Sequence, residues 1–225
     1  MRKSRPCRAS AHWLWGPSSN AMLAAQLCIA RHGETDWNLR GVLQGWLDIP
    51  INARGRMQAQ QMASDLAAAG FQSVWSSPLA RARETAEIIA IALRLPAPTS
   101  HEGLREKHFG AIQGIPKHEL AEQYPGLLEQ ILRRNPATHF VGGETMDETA
   151  ERVLDAVQTI GLHHRGERVL VVTHGWVMDV VSRHVNGLPR HAVLAHKPQN
   201  GDRLWITVGR HIEPAQPFHT NGNLN

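Results

Sequence analysis

Short apolar runs and longer stretches of helical periodicity alternate along most of the chain. LCIA at 27–30, a run around 72–75, VLVVT at 169–173 and LWITV at 204–208 are each too short for a helix, and each predicts a strand. The β-branched run at 169–173 has no polar alternation, the pattern of a strand covered on both faces. Between these runs apolar residues recur every three or four positions. Met57, Met62 and Leu66 mark a helix over about 53–69 that stops at Gly70. Ala82, Ala86, Ile89 and Leu93 mark a second, opened by Pro78 in its first turn and ended by Leu95-Pro96. Met146, Ala150, Val153, Val157 and Ile160 mark a third over about 145–162, and Val177, Val180 and Val181 a fourth that starts at His174-Gly175.

Two stretches break the rhythm. The Gly-punctuated segment 33–51 reads as a loop, and 97–141 as an irregular insertion in which Pro116 opens a short helix and Tyr124-Pro125 closes it. Such an insertion suits a cap over a site. Strands alternating with helices predict an α/β fold with three αβα layers around a doubly wound, mostly parallel sheet. In such sheets ligands bind beyond the carboxyl ends of the strands.

The chain has 225 residues, 42% of them hydrophobic, enough to bury a full core in one domain over 23–213. Residues 1–22 read as a disordered leader or a start artefact: Ser19-Asn20-Ala21-Met22 looks like a vector scar before a starting methionine, and an upstream native start is the alternative. The Pro- and Asn-rich stretch 214–225 reads as a tail. The formal charge of +4 suggests a nucleic-acid partner until its location is checked. Arg2, Lys3, Arg5 and Arg8 carry all of it, and the rest of the chain is formally neutral, so no nucleic acid is expected. Cys7 and Cys28 form neither a disulfide framework nor a zinc motif, and no apolar run approaches the length of a membrane span. A cytoplasmic protein without membrane attachment is the expectation.

Three strand-like runs end in basic chemistry. The first delivers Arg31 and His32 within RHGETDWN, the second Arg81 within SSPLARARETA, and the third His174 within VVTHG. Phosphoryl transfer needs a nucleophile, positive charge on the equatorial oxygens and a proton source for the leaving oxygen. A neutral His32 can attack phosphorus and form a phosphohistidine. Arg31 and Arg81 can grip oxygens through their forks, a protonated His174 would add a further donor, and the Gly175 N–H at a helix start another. Glu106, between two basic residues in LREKHFGAIQG, is the candidate general acid. None of this asks for a metal.

Taken in order and spacing, RHGETDWN, SSPLARARETA, LREKHFGAIQG and VVTHG resemble the histidine phosphatase superfamily, which includes the cofactor-dependent phosphoglycerate mutases, over about 27–208. The resemblance implies a phosphoglycerate mutase-like fold, His32 as nucleophile, Glu106 as proton donor and acceptor, and a phosphate pocket of Arg31, Arg81 and His174 with Asn38 nearby. It also implies substrate contacts from Gln44 and Gly45 in QGWLDIP, from Lys117 and from Arg133-Arg134, where mutases carry substrate-binding residues. Phe109 stands where a mutase has Tyr, and Trp176 where one has Asn. GGET at 142–145 and the missing long insertion before His174 also favour the phosphatase branch. The expectation is therefore a metal-independent phosphomonoester hydrolase for a small phosphorylated metabolite, possessing no cofactor. A mutase using 2,3-bisphosphoglycerate is the alternative, and a catalytically weak phosphate- or protein-binding module the second; a homodimer is expected by family resemblance.

Several residues have competing readings. Arg83 rivals Arg81, although two positions apart on a helix they point in different directions. Glu102 and Glu119 rival Glu106. His163-His164 and the pair His191 and His196 invite a metal, but without matched carboxylates or cysteines they read as surface histidines. Trp46 and Trp75 read as packing residues.

Overall fold

The computed structural model describes residues 24–133, 135–138, 140–194 and 197–215. The leader, Arg134, His196 and the chain beyond 215 lie outside them.

The strands are β1 (Ala25–Arg31), β2 (Ser73–Ser76), β3 (Thr99–Ser100), β4 (Arg168–Thr173), β5 (Arg203–Val208) and β6 (Ile212–Pro214). They form one sheet in the order β3-β2-β4-β1-β5-β6. β1, β2, β3 and β4 run parallel, and β5 and β6 add an antiparallel edge. The sheet is mostly parallel, as the sequence predicts. Pro214 belongs to β6, so the described chain is still paired where the tail was expected to begin.

Alternation along the central strands sends side chains to two cores. Leu27, Ile29, Val169, Val171, Ile206 and Val208 pack on one face with α6 (Met146–His163) and α7 (Gly175–Val185). Cys28, Ala30, Leu170 and Val172 pack on the other with α2 (Ala53–Asp65) and α3 (Ala80–Ala92). This is the three-layer αβα arrangement. Burial holds the Cys28 thiol up to about 12, so it packs as a small apolar group. The predicted stripe of α6 is buried in full, and the helix starts in a capping box between Thr145 and Glu148.

The departures have local causes. Met57 is 68% exposed, because the buried face of α2 runs through Gly55, Ala59, Met62 and Ala63, about half a turn away. α3 starts at Ala80 with Leu79 as N-cap, which leaves Pro78 outside the helix. Tyr124-Pro125 ends α4 (Lys117–Gln123) but also starts α5 (Pro125–Leu132), since a first helical position needs no N–H. The expected loop after β1 contains α1 (Asp36–Arg40), opened by Thr35 and Asn38 capping each other.

Candidate active site

Parallel register sets the first pair of residues. Arg31 of β1 lies beside Thr173 of β4, so His32 and His174 leave neighbouring strands side by side, with ring centroids 5.2 Å apart. His32 stays on the sheet's ladder through its N–H to Thr173 O at 2.9 Å. The chain then turns at Gly33, whose N–H donates to Thr85 Oγ1 at 3.0 Å; a Cβ there would meet Gly55 O at 2.5 Å. Only glycine permits this contact between the turn and α2. Asn200 Nδ2 donates to His32 O at 2.8 Å.

The ring of His32 is fixed in a reactive form. Nδ1 lies 2.7 Å from Gly33 O, and a carbonyl can only accept, so Nδ1 carries the proton and Nε2 the lone pair. Burial above all, then the charges of Arg81 and Arg31, hold the imidazole well below its usual proton affinity. Burial first, then the charges of Arg81, His32, Arg31 and Arg152, hold His174 well below its usual proton affinity too, which disfavours the protonated form that would add a further donor. Its Nε2 pairs with Ser77 Oγ at 2.7 Å.

Arg81, 1% exposed, projects from the first turn of α3. Its Nη2 donates to Gly45 O at 2.7 Å and its Nη1 to Leu47 O at 3.0 Å. Gly45 adopts φ +52°, where a Cβ would overlap Gln113, and this conformation aims its carbonyl at the guanidinium. Burial lowers Arg81 to about 10, with the carboxylates of Glu106 and Asp48 opposing the fall, so it remains a cation at neutral pH. Arg83 bonds Pro78 O and pairs with Glu87 at the surface, which resolves the competition in favour of Arg81. Arg31 donates Nη1 to Pro198 O at 2.6 Å.

Glu106 is buried near Arg81, whose charge it supports. Its Oε1 accepts the N–H of Lys107 at 3.0 Å and of Trp176 at 3.1 Å, which leaves Oε2 for the cavity. Its own carbonyl accepts from Trp46 Nε1 at 2.7 Å. Of its rivals, Glu102 pairs with Arg105 at 2.7 Å and Glu119 is exposed on α4. Lys107 points the other way, fully buried, with Nζ 4.9 Å from the Trp176 ring centroid and 5.1 Å from that of Phe140.

These groups meet at a cavity of about 290 Å³. Arg31, His32, Arg81 and Glu106 line it with Asn38, Gln44, Gly45 and Lys117. His174 and Gly175 do not; both are buried behind the wall. Arg133 pairs with Glu129 outside the cavity. Phe109, Trp176, Ile131 and Leu132 supply an apolar side. His164 is engaged by Trp75 Nε1 at 2.9 Å and Glu167 at 2.7 Å, a packing role for both rings. Sequence reasoning missed Ser77, Trp37 and the Pro198–Asn200 segment. Ser77 directly follows β2 within a motif already noted, whereas nothing around 198–200 signals contact with His32.

Residues 27–211 match the family model of the histidine phosphatase superfamily, branch 1. The chain belongs to the histidine phosphatase superfamily. Within this superfamily it is similar to proteins with both kinds of name. The Phosphoglycerate mutase-like protein 4 of Arabidopsis thaliana is 38% identical over 193 residues, 82% of this chain and 84% of that one. The Metal-independent phosphoserine phosphatase of the same plant is 37% identical over 187 residues, 80% and 79% of the two chains. Among solved superfamily structures, YhfR of Bacillus stearothermophilus superposes with a TM-score of 0.78 at 31% identity, covering 86% of this chain and 96% of that one. Among the described residues no helix is long and apolar enough to cross a membrane.

Proposed function

We propose that this superfamily member is a metal-independent phosphomonoester hydrolase for a small phosphorylated metabolite, working through a phosphohistidine at His32. The observation that carries the reading is the neutral His32 ring, its Nδ1 proton tied to Gly33 O and its Nε2 left to attack beside the Arg31 and Arg81 cations. In the first step Nε2 bonds phosphorus, the ester P–O bond breaks, and the leaving oxygen takes a proton from Glu106. In the second, water gives its proton to Glu106 as its oxygen bonds phosphorus, the P–N bond breaks, and inorganic phosphate departs. Arg31 and Arg81 bind the equatorial oxygens through both steps. His174 acts as a neutral neighbour of the nucleophile, oriented by Ser77.

The name of the Arabidopsis phosphoserine phosphatase supports metal-free hydrolysis, and a cavity of about 290 Å³ suits a small substrate. A mutase must retain and reposition a phosphorylated intermediate. Here Phe109 and Trp176 give the cavity an apolar side and Arg133 is bound elsewhere, which favours release. The test is phosphate release from p-nitrophenyl phosphate and a metabolite panel in EDTA, alongside 3-phosphoglycerate with 2,3-bisphosphoglycerate. Hydrolysis without isomerisation is expected, with an acid-labile phosphoenzyme that His32→Ala loses. Isomerisation outpacing hydrolysis would transfer the chain to the mutases, and silence in both assays to the binding modules.

A further inference from the structure

Arg152, on α6, does not line the cavity, yet commits all five of its N–H donors to one neighbourhood. Nη1 donates to Gly103 O at 3.0 Å and to Arg105 O at 2.8 Å, and Nη2 to Glu106 O at 3.3 Å. The other two bonds form a fork with Glu144: Nε to Oε1 at 2.7 Å and Nη2 to Oε2 at 2.6 Å. Glu144 in turn takes the N–H of His108 at 2.8 Å and returns its own N–H to His108 O at 3.0 Å. The stretch 103–108 is thus gripped at both ends and in the middle. At Gly103 a Cβ would come within 2.6 Å of Ala156, so the stretch lies flush against α6.

Glu106 is the one side chain of this stretch that has chemistry to perform at the cavity. Between the short 3₁₀ turns at 102–104 and 110–112 its backbone belongs to no helix or strand. A proton donor must sit within hydrogen-bond reach of the leaving oxygen, and displacement by about 1 Å costs about 100-fold in rate. We propose that Arg152, held in register by Glu144, is a positioning residue for Glu106: it sets where the leaving-group proton is delivered, without acting on phosphate binding. The inference rests on the hydrolase reading and on Glu106 as its acid.

The experiment compares kcat/KM for two substrates, because this ratio reports steps up to phosphoryl transfer. Phenyl phosphate needs a proton on its departing oxygen; 2,4-dinitrophenyl phosphate does not. Arg152→Lys keeps the charge and loses the fork. It is expected to lower kcat/KM for phenyl phosphate by about 100-fold, to change the dinitrophenyl value less than about threefold, and to leave inhibition by inorganic phosphate intact. Glu144→Gln should show the same selectivity more weakly, and gives a second reading if the lysine variant does not fold. Equal losses on both substrates, no loss on either, or failure of both variants to fold would make the pair structural and overturn the proposal. Glu106→Gln serves as the reference: if it lacks the selectivity, the assignment of the acid fails and the positioning role falls with it, whereas selectivity in Glu106→Gln but not in Arg152→Lys overturns the positioning role alone.

Discussion

The phosphate end of the cavity and its acid side solve the same problem by different means. Arg31, His32 and Arg81 are presented by regular structure: β1 runs out at Arg31, parallel register puts His32 beside His174, and the first turn of α3 carries Arg81 inward. Glu106 has no such frame, and side chains from distant segments, Arg152, Glu144 and Trp46, hold its backbone in place. Where the sheet supplies position, the side chains are left to do chemistry. Where it does not, other side chains must supply position.

The largest effect should come from the sheet-built end. His32→Ala is expected to lower turnover more than about a thousandfold while product phosphate still inhibits, because both arginines remain; turnover within tenfold of wild type by steady-state assay would rule out the phosphohistidine. Glu106→Gln should cost about 100 to 10,000-fold, more for poor leaving groups than for good ones, with phosphate affinity kept. A variant that loses phosphate binding as well would erase the distinction between the two walls.

Electrostatics sharpens the contrast further. His32 and His174 are neutral in the folded chain but gain protons in the unfolded chain below their ordinary value of 6.5. Stability is therefore fully present above that pH and falls as pH drops through it, by up to about 1.4 kcal/mol per unit for each ring. Urea titrations between pH 4 and 7 should show the slope, and His174→Gln should reduce it. On the acid side Lys107 is lowered from 10.5 to about 8, chiefly by burial. Over that window the unfolded chain holds the proton that the folded chain releases, so stability rises with pH from about 8 to 10.5. Lys107→Met should flatten this rise and stabilise the neutral-pH protein by about 1 to 3 kcal/mol; a lower melting temperature would show that its charge supports the wall instead.

The same division governs what could be read from sequence. VLVVT, the stripe from Met146 to Ile160 and the motifs at strand ends rest on local periodicity, and they appear as β4, α6 and the phosphate end. Arg152 reads as an ordinary polar position on α6, because the backbone carbonyls it holds lie more than 40 residues away in sequence. Asn200 and Pro198 reach His32 and Arg31 across still longer separations. The proton affinity of His174 depends on this too, since its burial and the charges of Arg81, Arg31 and Arg152 are properties of the assembled site.

The central position of β1 also bears on how the chain is made. Among the described residues it is the first strand to be synthesised, yet its ladders are with β4 and β5, residues 168–173 and 203–208. At ribosomal speed this strand waits roughly ten seconds with both edges open, an apolar template that the growing chain cannot yet cover. The clasp from Asn200 to the His32 carbonyl likewise waits until the chain has passed β4. His32 therefore gains Thr173, His174 and Asn200 as neighbours only after most of the domain has been synthesised, so the surroundings of the nucleophile are among the last parts of the fold to be completed.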